Sequence, residues 1–218
     1  MNGNIQIVKG HILFTKSPEA FTIIENGYIV VEGPCIQYVG ESLPIEYEDY
    51  HITDYGDTLI IPGFVDTHVH GPQYCNRGLG MDMELLPWLN TYTFPEEEKF
   101  KDTAYANMVY TSFVNDLVRN GTTRAVIYGT VHLQGTVELM KAVADAKICA
   151  YVGKVNMDQN SPEYLLEDSN QSIVDTMQAI LVAEQFEPYV RPIITPRFAP
   201  TCSGPLMREL GRLATKSN

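Results

Sequence analysis

Residues 60–74 read IIPGFVDTHVHGPQY. The apolar run stops at Pro62-Gly63 and resumes, and then Asp66, His68 and His70 occupy every second position. Side chains at positions i and i+2 of a β-strand point to the same side of the sheet. The stretch therefore predicts a strand that presents two of the five histidines of the chain to one site.

Beyond residue 62, apolar β-like runs alternate with helical segments. The predicted strands are 60–70, 122–132, 148–156 and 190–198, and the predicted helices are 100–119, 135–146, 170–186 and 203–215. This alternation implies parallel strands joined by right-handed crossovers, in a doubly wound sheet or a (β/α) barrel. Eight barrel units need ~250 residues or more, so four units predict half of a (β/α)8 barrel. An independent fold of four βα units is the alternative.

Residues 1–57 have a different pattern, with short β-like runs separated by turns and no helical segment. Asn26-Gly27 is a hairpin-turn signal, and the alternation in residues 28–32 predicts a strand beside it. The sequence thus predicts two domains, a small antiparallel β-unit over 1–57 and the βα units over 58–218.

The connection 71–99 is long and rich in glycine, proline and aromatic residues. Long loops that carry apolar side chains are more often functional than plain linkers. We therefore expect this loop to form a wall or lid of the site at the end of the first barrel strand.

Composition argues against several kinds of partner. The net charge of −12 and the absence of a basic patch argue against nucleic acids and anionic membranes. The N-terminus lacks the apolar core of a signal peptide, and no run approaches the ~18 apolar residues of a membrane span. The four cysteines form no C-x-x-C pair, which disfavours a disulfide framework. We therefore expect a soluble protein of a reducing compartment, the cytoplasm.

The two histidines of the first barrel strand lie where barrels carry their active sites, at the carboxyl end of a strand. A His-x-His triplet is weak alone, and a pair of hydrogen-bonded strand histidines is the alternative. A catalytic zinc ion needs three or more protein ligands and an open position. The other candidates are weaker: His11 and His51 lie in the β-unit, and His132, which ends the second barrel strand, is expected to line a pocket or to be structural. The metal site is thus incomplete in this chain. Thiolate-free, histidine-rich ligation fits zinc, with iron left open.

At PGFVDTHVH (62–70) the sequence resembles the amidohydrolase superfamily, whose members begin their metal site with Pro-Gly-x-x-Asp-x-His-x-His on the first barrel strand. Further blocks are similar to its guanine deaminase family. They are LLPWLNTYTFPEEEKF (85–100), NGTTRA (120–125), VGKVNMD (152–158) and TPRFAPTCS (195–203). The resemblance implies a TIM-barrel amidohydrolase fold, and an N-terminal β-segment that joins C-terminal strands in a small β-sandwich.

The resemblance also implies roles for individual residues. His68 and His70 are the implied ligands of one Zn²⁺ per subunit, and the implied guanine-binding residues are His70, Gln73, Trp88, Arg197 and Phe198. Phe94 and its neighbours are implied to shape the pocket wall with the tryptophan. On the sequence alone, the alternatives are a surface ion pair for the arginine, a loop hydrogen bond for the glutamine and core packing for Phe198.

The chemistry of these residue types agrees with the roles that the resemblance implies. Guanine offers O6 and N7 as acceptors, and the planar guanidinium of Arg197 meets such an edge with paired donors. The amide of Gln73 carries both a donor and an acceptor for a base edge. The ring of Phe198 has a face for the π-system of a purine.

The implied activity is zinc-dependent hydrolysis of guanine to xanthine and ammonia, in guanine catabolism, by a homodimer. In the family, a Glu in a His-x-x-Glu segment and a later Asp complete the site, and both are expected beyond Asn218. The chain alone is therefore predicted to be inactive. The alternatives are another amidohydrolase acting on an aminated heterocycle, such as a triazine, an adenosine-type substrate or cytosine, or a non-catalytic binding module.

Overall fold

The structure is a computed structural model that describes residues 5–216. The chain divides into two compact units, with the division between Pro62 and Gly63. The four cysteines are free thiols. No helix in the described part of the chain is long and apolar enough to cross a membrane.

The first unit is a four-stranded sheet. Its strands are β1 (Ile5–Ser17), β2 (Ala20–Glu32), β3 (Cys35–Gly40) and β4 (Ile52–Ile60), in the order β3-β2-β1-β4. The pairs β1–β2 and β2–β3 are antiparallel, whereas β4 runs parallel to β1. The expectation of a purely antiparallel unit was wrong for β4, because the connection from β3, with a 3-10 turn at Ile45–Tyr47, carries the chain back before β4 begins. The predicted boundary at 57/58 falls inside β4.

The prediction of a hairpin turn at Asn26-Gly27 was also wrong. These residues lie inside β2, where the register against β1 shifts between Gly10 and Ile12. Asn26 has a φ of 52°, which asparagine tolerates better than most residues. A Cβ on Gly27 would lie 2.5 Å from Cγ2 of Ile24. The pair therefore forms a β-bulge, which uses the same residue types as a tight turn.

The second unit alternates strands and helices. Its strands are β5 (Phe64–His70), β6 (Thr122–Tyr128), β7 (Cys149–Gly153), β8 (Val155–Asn156), β9 (Val190–Pro192) and β10 (Thr195–Pro196). Its helices are α1 (Leu85–Trp88), α2 (Phe94–Glu98), α3 (Thr103–Arg119), α4 (Leu133–Asp145), α5 (Ser169–Ala183) and α6 (Gly204–Lys216). Four strands form a parallel sheet in the order β5-β6-β7-β9, and β8 pairs in parallel with β10.

The strand order follows the chain order, without the reversal that defines a doubly wound sheet. This arrangement confirms the prediction of an α/β fold with about half of a (β/α)8 barrel. One face of the sheet packs against α3, α4 and α5 through a core that includes Ile127, Val152 and Val190. Residues that alternate with them, such as Tyr151, are exposed on the other face.

Several predicted bounds differ from those in the structure, among them a helix start and the connection that follows β5. The helix predicted from residue 100 begins at Thr103, because the side chain of Asp102 caps it by accepting from the backbone N of Ala104 at 2.9 Å. The connection 71–99 is largely helical rather than a loop. It contains a 3-10 segment, α1, a π-helical segment at Leu89–Thr93 and α2.

Candidate active site

The carboxyl end of β5 presents the two predicted metal ligands side by side. The ring centroids of His68 and His70 are 5.2 Å apart, and the ring of Tyr128, at the end of β6, lies 4.7 Å from each. The backbone N of His68 donates to Oδ1 of Asp66 at 3.1 Å. The aspartate therefore orients the strand end from a deeper position, and the histidines face a common space.

His70 has the properties of a neutral nitrogen ligand. Burial, and then the positive charges of Arg197 and His68, lower the pKa of His70 to about 3. Its Nδ1 is buried and has no hydrogen-bond partner among the described residues. Zinc binds neutral imidazole nitrogen, so the donor chemistry of this strand end fits that ion. Within residues 5–216 no group of three or more His, Cys, Asp or Glu side chains converges on one point.

A cavity of about 800 Å³ opens next to the histidines. Six of the residues singled out from the sequence line it, namely His68, His70, Gln73, Trp88, Arg197 and Phe198. Phe94 does not line it, and lies instead in the buried cluster behind Trp88 and Phe198. The indole Nε1 of Trp88 donates to the carbonyl O of Leu79 at 2.8 Å. This hydrogen bond ties α1 to the preceding turn and fixes one wall of the cavity.

Arg197 follows β10 directly and enters the cavity from the last described strands. Its backbone N donates to the carbonyl O of Asn156 at 3.2 Å, which extends the pairing of β8 with β10. Its guanidinium is buried against Glu97, both of whose carboxylate oxygens accept from Nη1. Cζ of the arginine also lies 5.3 Å from the ring centroid of Phe94. The alternative of a surface ion pair is thus excluded by burial.

Three residues of the site were missed by the sequence analysis. Glu97 lies in a run of three glutamates that resembles a solvated surface. Asn76 is buried in the cavity wall, where Nδ2 donates to Oγ1 of Thr93 at 3.1 Å, and Oδ1 has no partner among the described residues. Tyr128 ends the second barrel strand, and this position next to the first strand is the one signal that points to it.

His132 does not line the cavity. It lies in a separate cleft, next to Lys101 and Tyr164, and its Nε2 is buried without a partner in the described part of the chain. Burial, followed by the charge of Lys154, lowers the pKa of His132. This placement matches a pocket-lining role. His51, in the first unit, is exposed.

The model of the amidohydrolase family matches residues 59–218. This match covers most of the chain and includes the strand that carries both histidines. The chain belongs to the amidohydrolase family.

Relatives within that family are more specific. The guanine deaminase of Dictyostelium discoideum is 44% identical over 168 residues, which are 77% of this chain and 37% of the relative. The guanine deaminase of Escherichia coli K12 is 37% identical over 202 residues, 89% of this chain and 44% of the relative. The chain therefore spans less than half the length of these curated relatives.

A solved structure agrees with this likeness. The crystal structure of guanine deaminase from C. acetobutylicum, with guanine bound in its active site, has a TM-score of 0.93 at 48% identity. The alignment covers 98% of this chain and 51% of that chain. The similarity extends over both units of the described fold and includes every residue range that contributes to the cavity.

Proposed function

We propose that this chain supplies the purine-binding half of an enzyme that hydrolyses guanine to xanthine and ammonia. One observation carries the proposal: a buried guanidinium with free donors and two imidazoles line the same cavity. The likeness to guanine deaminases supports it. In the proposed complete protein, residues 1–57 join later strands in a β-sandwich, residues 58–218 begin the barrel, and two copies form a homodimer.

In this proposal, each cavity residue contacts a different edge or face of the purine. The guanidinium of Arg197 donates to O6 and N7, because these acceptors lie on one edge of guanine. Gln73 pairs with another edge through its amide, and Phe198 lies against the face of the ring. Trp88 closes the wall and keeps water from the far side of the base. In this orientation, the exocyclic amino group of guanine is directed toward the end of β5.

His68 and His70 would hold the zinc ion, together with ligands that this chain does not contain. When bound, zinc supplies a Lewis acid that activates water for hydrolysis. The neutral state of His70, which burial favours, leaves a nitrogen lone pair available for ligation at physiological pH. In this proposal, the acid that protonates the leaving amine is the family's glutamate, which lies outside this chain.

An ammonia-release assay on the protein translated from the complete reading frame tests the proposal. Guanine should be turned over, and adenine, cytosine and melamine should release little ammonia. Removal of the metal by a chelator should abolish turnover, and zinc should restore it. Preference for melamine or for an adenine-type ring would support a different amidohydrolase, and binding without turnover would support a non-catalytic module.

The chain of 218 residues should not turn over guanine when it is purified alone. The reason is that two imidazoles are too few for a catalytic zinc site and that the proton-transferring acid is missing. The same ammonia assay checks this expectation, with the complete protein as the positive control. Turnover by the 218-residue chain at the rate of the complete protein would contradict it.

A further inference from the structure

Glu97 and Arg197 form a buried ion pair beside the cavity. The exposed fractions of the two residues are 1% and 8%. Nη1 of the arginine lies 2.7 Å from Oε1 of the glutamate and also donates to Oε2. Because a single nitrogen serves both oxygens, Nη2 and Nε are not used. Neither has another hydrogen-bond partner within residues 5–216, and the arginine lines the cavity.

The glutamate is directed inward by the fold of α2. Its two neighbours in sequence pair with exposed lysines: Glu96 accepts from Lys99 at 2.6 Å and Glu98 accepts from Lys101 at 2.7 Å. Glu97 is the one glutamate of the three that is fully buried, with 1% of its side chain exposed. The guanidinium of Arg197, whose side chain could otherwise adopt several rotamers, is therefore held at Nη1 by Glu97. The backbone of Glu97 is in turn fixed by the helical segments around it.

The surroundings of Glu97 supply little other stabilisation. Among the described residues, Arg197 provides the hydrogen bonds to its carboxylate. Tyr110 lies near it, and the hydroxyl of this tyrosine is fully buried without a partner in the described chain. Burial raises the pKa of Glu97, and the arginine opposes that rise. The arginine therefore favours the charged form of the carboxylate, which burial disfavours.

A buried ion pair contributes little net stability compared with apolar residues of the same volume. Stability alone is therefore a poor explanation for placing these charges at the wall of a cavity. A planar donor group held at one end, with its remaining N–H groups toward open space, is suited to binding a ligand with two acceptors on one edge.

We infer that Glu97 is a positioning residue, which fixes the guanidinium of Arg197 so that its free N–H edge meets the O6 and N7 edge of a purine. The inference rests on the proposed function and adds to it the residue that sets the orientation of the purine-reading group. Glu97 itself does not touch the purine. Its effect is transmitted through the arginine and should depend on whether the ligand carries O6.

The test compares Glu97→Gln with Glu98→Gln in the complete protein. Glutamine keeps the shape and one acceptor but places an amide N–H₂ against the guanidinium, which should turn it away. KM and kcat are measured with guanine, and inhibition constants with hypoxanthine, which has O6, and with purine, which lacks it. Glu98→Gln is the matched control, because this neighbouring side chain pairs with an exposed lysine.

For Glu97→Gln, KM for guanine and the inhibition constant of hypoxanthine should rise about 10- to 100-fold, the range for one lost charge-assisted hydrogen bond. The inhibition constant of purine, which keeps N7 but lacks O6, should rise less than that of hypoxanthine, and kcat should fall less than KM rises. Glu98→Gln should behave as wild type in every measurement. A purely structural role would instead weaken both inhibitors equally.

Three outcomes would overturn the inference: equal losses for hypoxanthine and purine, a wild-type KM in Glu97→Gln, or an equal effect of Glu98→Gln. If Glu97→Gln does not fold, Glu97→Asp keeps the charge, shortens the reach by one methylene and should show the same selective loss for hypoxanthine. The proposed function fails separately, when the wild-type protein itself does not turn over guanine. Wild-type turnover with an unaltered Glu97→Gln variant defeats only the positioning role.

Discussion

Two buried ion pairs lie near the carboxyl ends of the barrel strands, and they differ in what their cations have left to donate. Nζ of Lys154 donates to Glu167 and, at 2.9 Å, to the carbonyl O of Val155. The guanidinium of Arg197, which lines the cavity, is held by Glu97 through one nitrogen, and its other nitrogens have no partner among the described residues. Both cations are buried, but Lys154 is bonded only within the fold, whereas Arg197 keeps N–H groups that a ligand could use.

The two glutamates also differ in how many partners they have within the fold. Oε2 of Glu167 accepts from the backbone N of Met157 at 2.9 Å and from Oγ of Ser172 at 3.1 Å, which joins β8 to α5. Burial raises the pKa of Glu167, and Lys154 opposes that rise. A pair whose groups are satisfied within the fold stabilises connections between elements, whereas a pair with donors left over can serve a ligand.

The largest effect should follow from Arg197→Met. The substitution removes the donors that are proposed to bind the purine and leaves Glu97 buried without its cation, so kcat/KM for guanine should fall on the order of 10³-fold. Steady-state kinetics of the complete protein check this. Arg212→Met is the control, because Arg212 pairs with Glu209 at the surface. A wild-type kcat/KM in Arg197→Met would contradict a ligand-binding role for Arg197 and leave it no different from Lys154.

Lys154→Met should act on stability instead. Leaving Glu167 buried without its cation should lower the free energy of unfolding by about 3–5 kcal/mol, with KM for guanine unchanged. Urea denaturation of the complete protein measures the loss. Lys141→Met removes the exposed partner of Glu138 and should cost less than about 1 kcal/mol. A rise in KM for Lys154→Met would contradict an enclosed, structural pair.

A smaller loss of stability is expected for Asp158→Asn. Asp158 accepts from the backbone N of Ser203 at 2.6 Å and from Oγ of Ser169 at 2.6 Å, and so ties α5 to the start of α6. The carboxylate is partly exposed and its partners are uncharged, so the substitution should cost only about 1–2 kcal/mol at pH 7. Urea denaturation measures this difference.

The pH dependence of that difference is a further check. Burial would raise the pKa of Asp158, but hydrogen bonds from Ser169 and Ser203 outweigh it and hold the pKa below its usual value. A carboxyl with a lowered native pKa stabilises the fold above its unfolded pKa of about 4, and this contribution is lost as the pH falls through the native value. The gap between wild type and Asp158→Asn should therefore shrink on acidification and not on alkalinisation.

The smallest effect should come from Trp88→Phe. The ring that lines the cavity remains, but the hydrogen bond to Leu79 is lost, so the wall becomes less fixed. KM for guanine should rise about 3- to 10-fold, the range for one neutral hydrogen bond, with kcat nearly unchanged. Guanine kinetics on the complete protein measure this. A loss as large as that of Arg197→Met would mean that the wall, and not the guanidinium, dominates binding.

Sequence periodicity predicted the βα units well, because the strands are apolar runs and each crossover helix has an amphipathic pattern. It failed where the partner of a strand is distant. The parallel pairing of β4 with β1 depends on where the chain returns after β3, and no local pattern records this. The bulge at Asn26-Gly27 was mistaken for a turn because both need a residue that tolerates positive φ.

The cavity could be predicted only in part. His68 and His70 carry a recognisable spacing, and Arg197 and Phe198 were identified through the resemblance of their block. Glu97 could not be distinguished from its neighbours in the glutamate run. Its inward direction depends on the helical turns that precede α2, and those turns follow from packing on the rest of the barrel rather than from local propensity.

The pairing of Glu97 with Arg197 joins residues that are 100 positions apart in the chain. During synthesis, at 5–20 residues per second, the glutamate would emerge about 5–20 s before its cation. Throughout that interval its carboxylate must stay hydrated, because burial without a counter-charge is unfavourable. The segment that walls the cavity therefore packs late. The proposed purine site is therefore complete only after the fourth strand region, which carries Arg197, has been made.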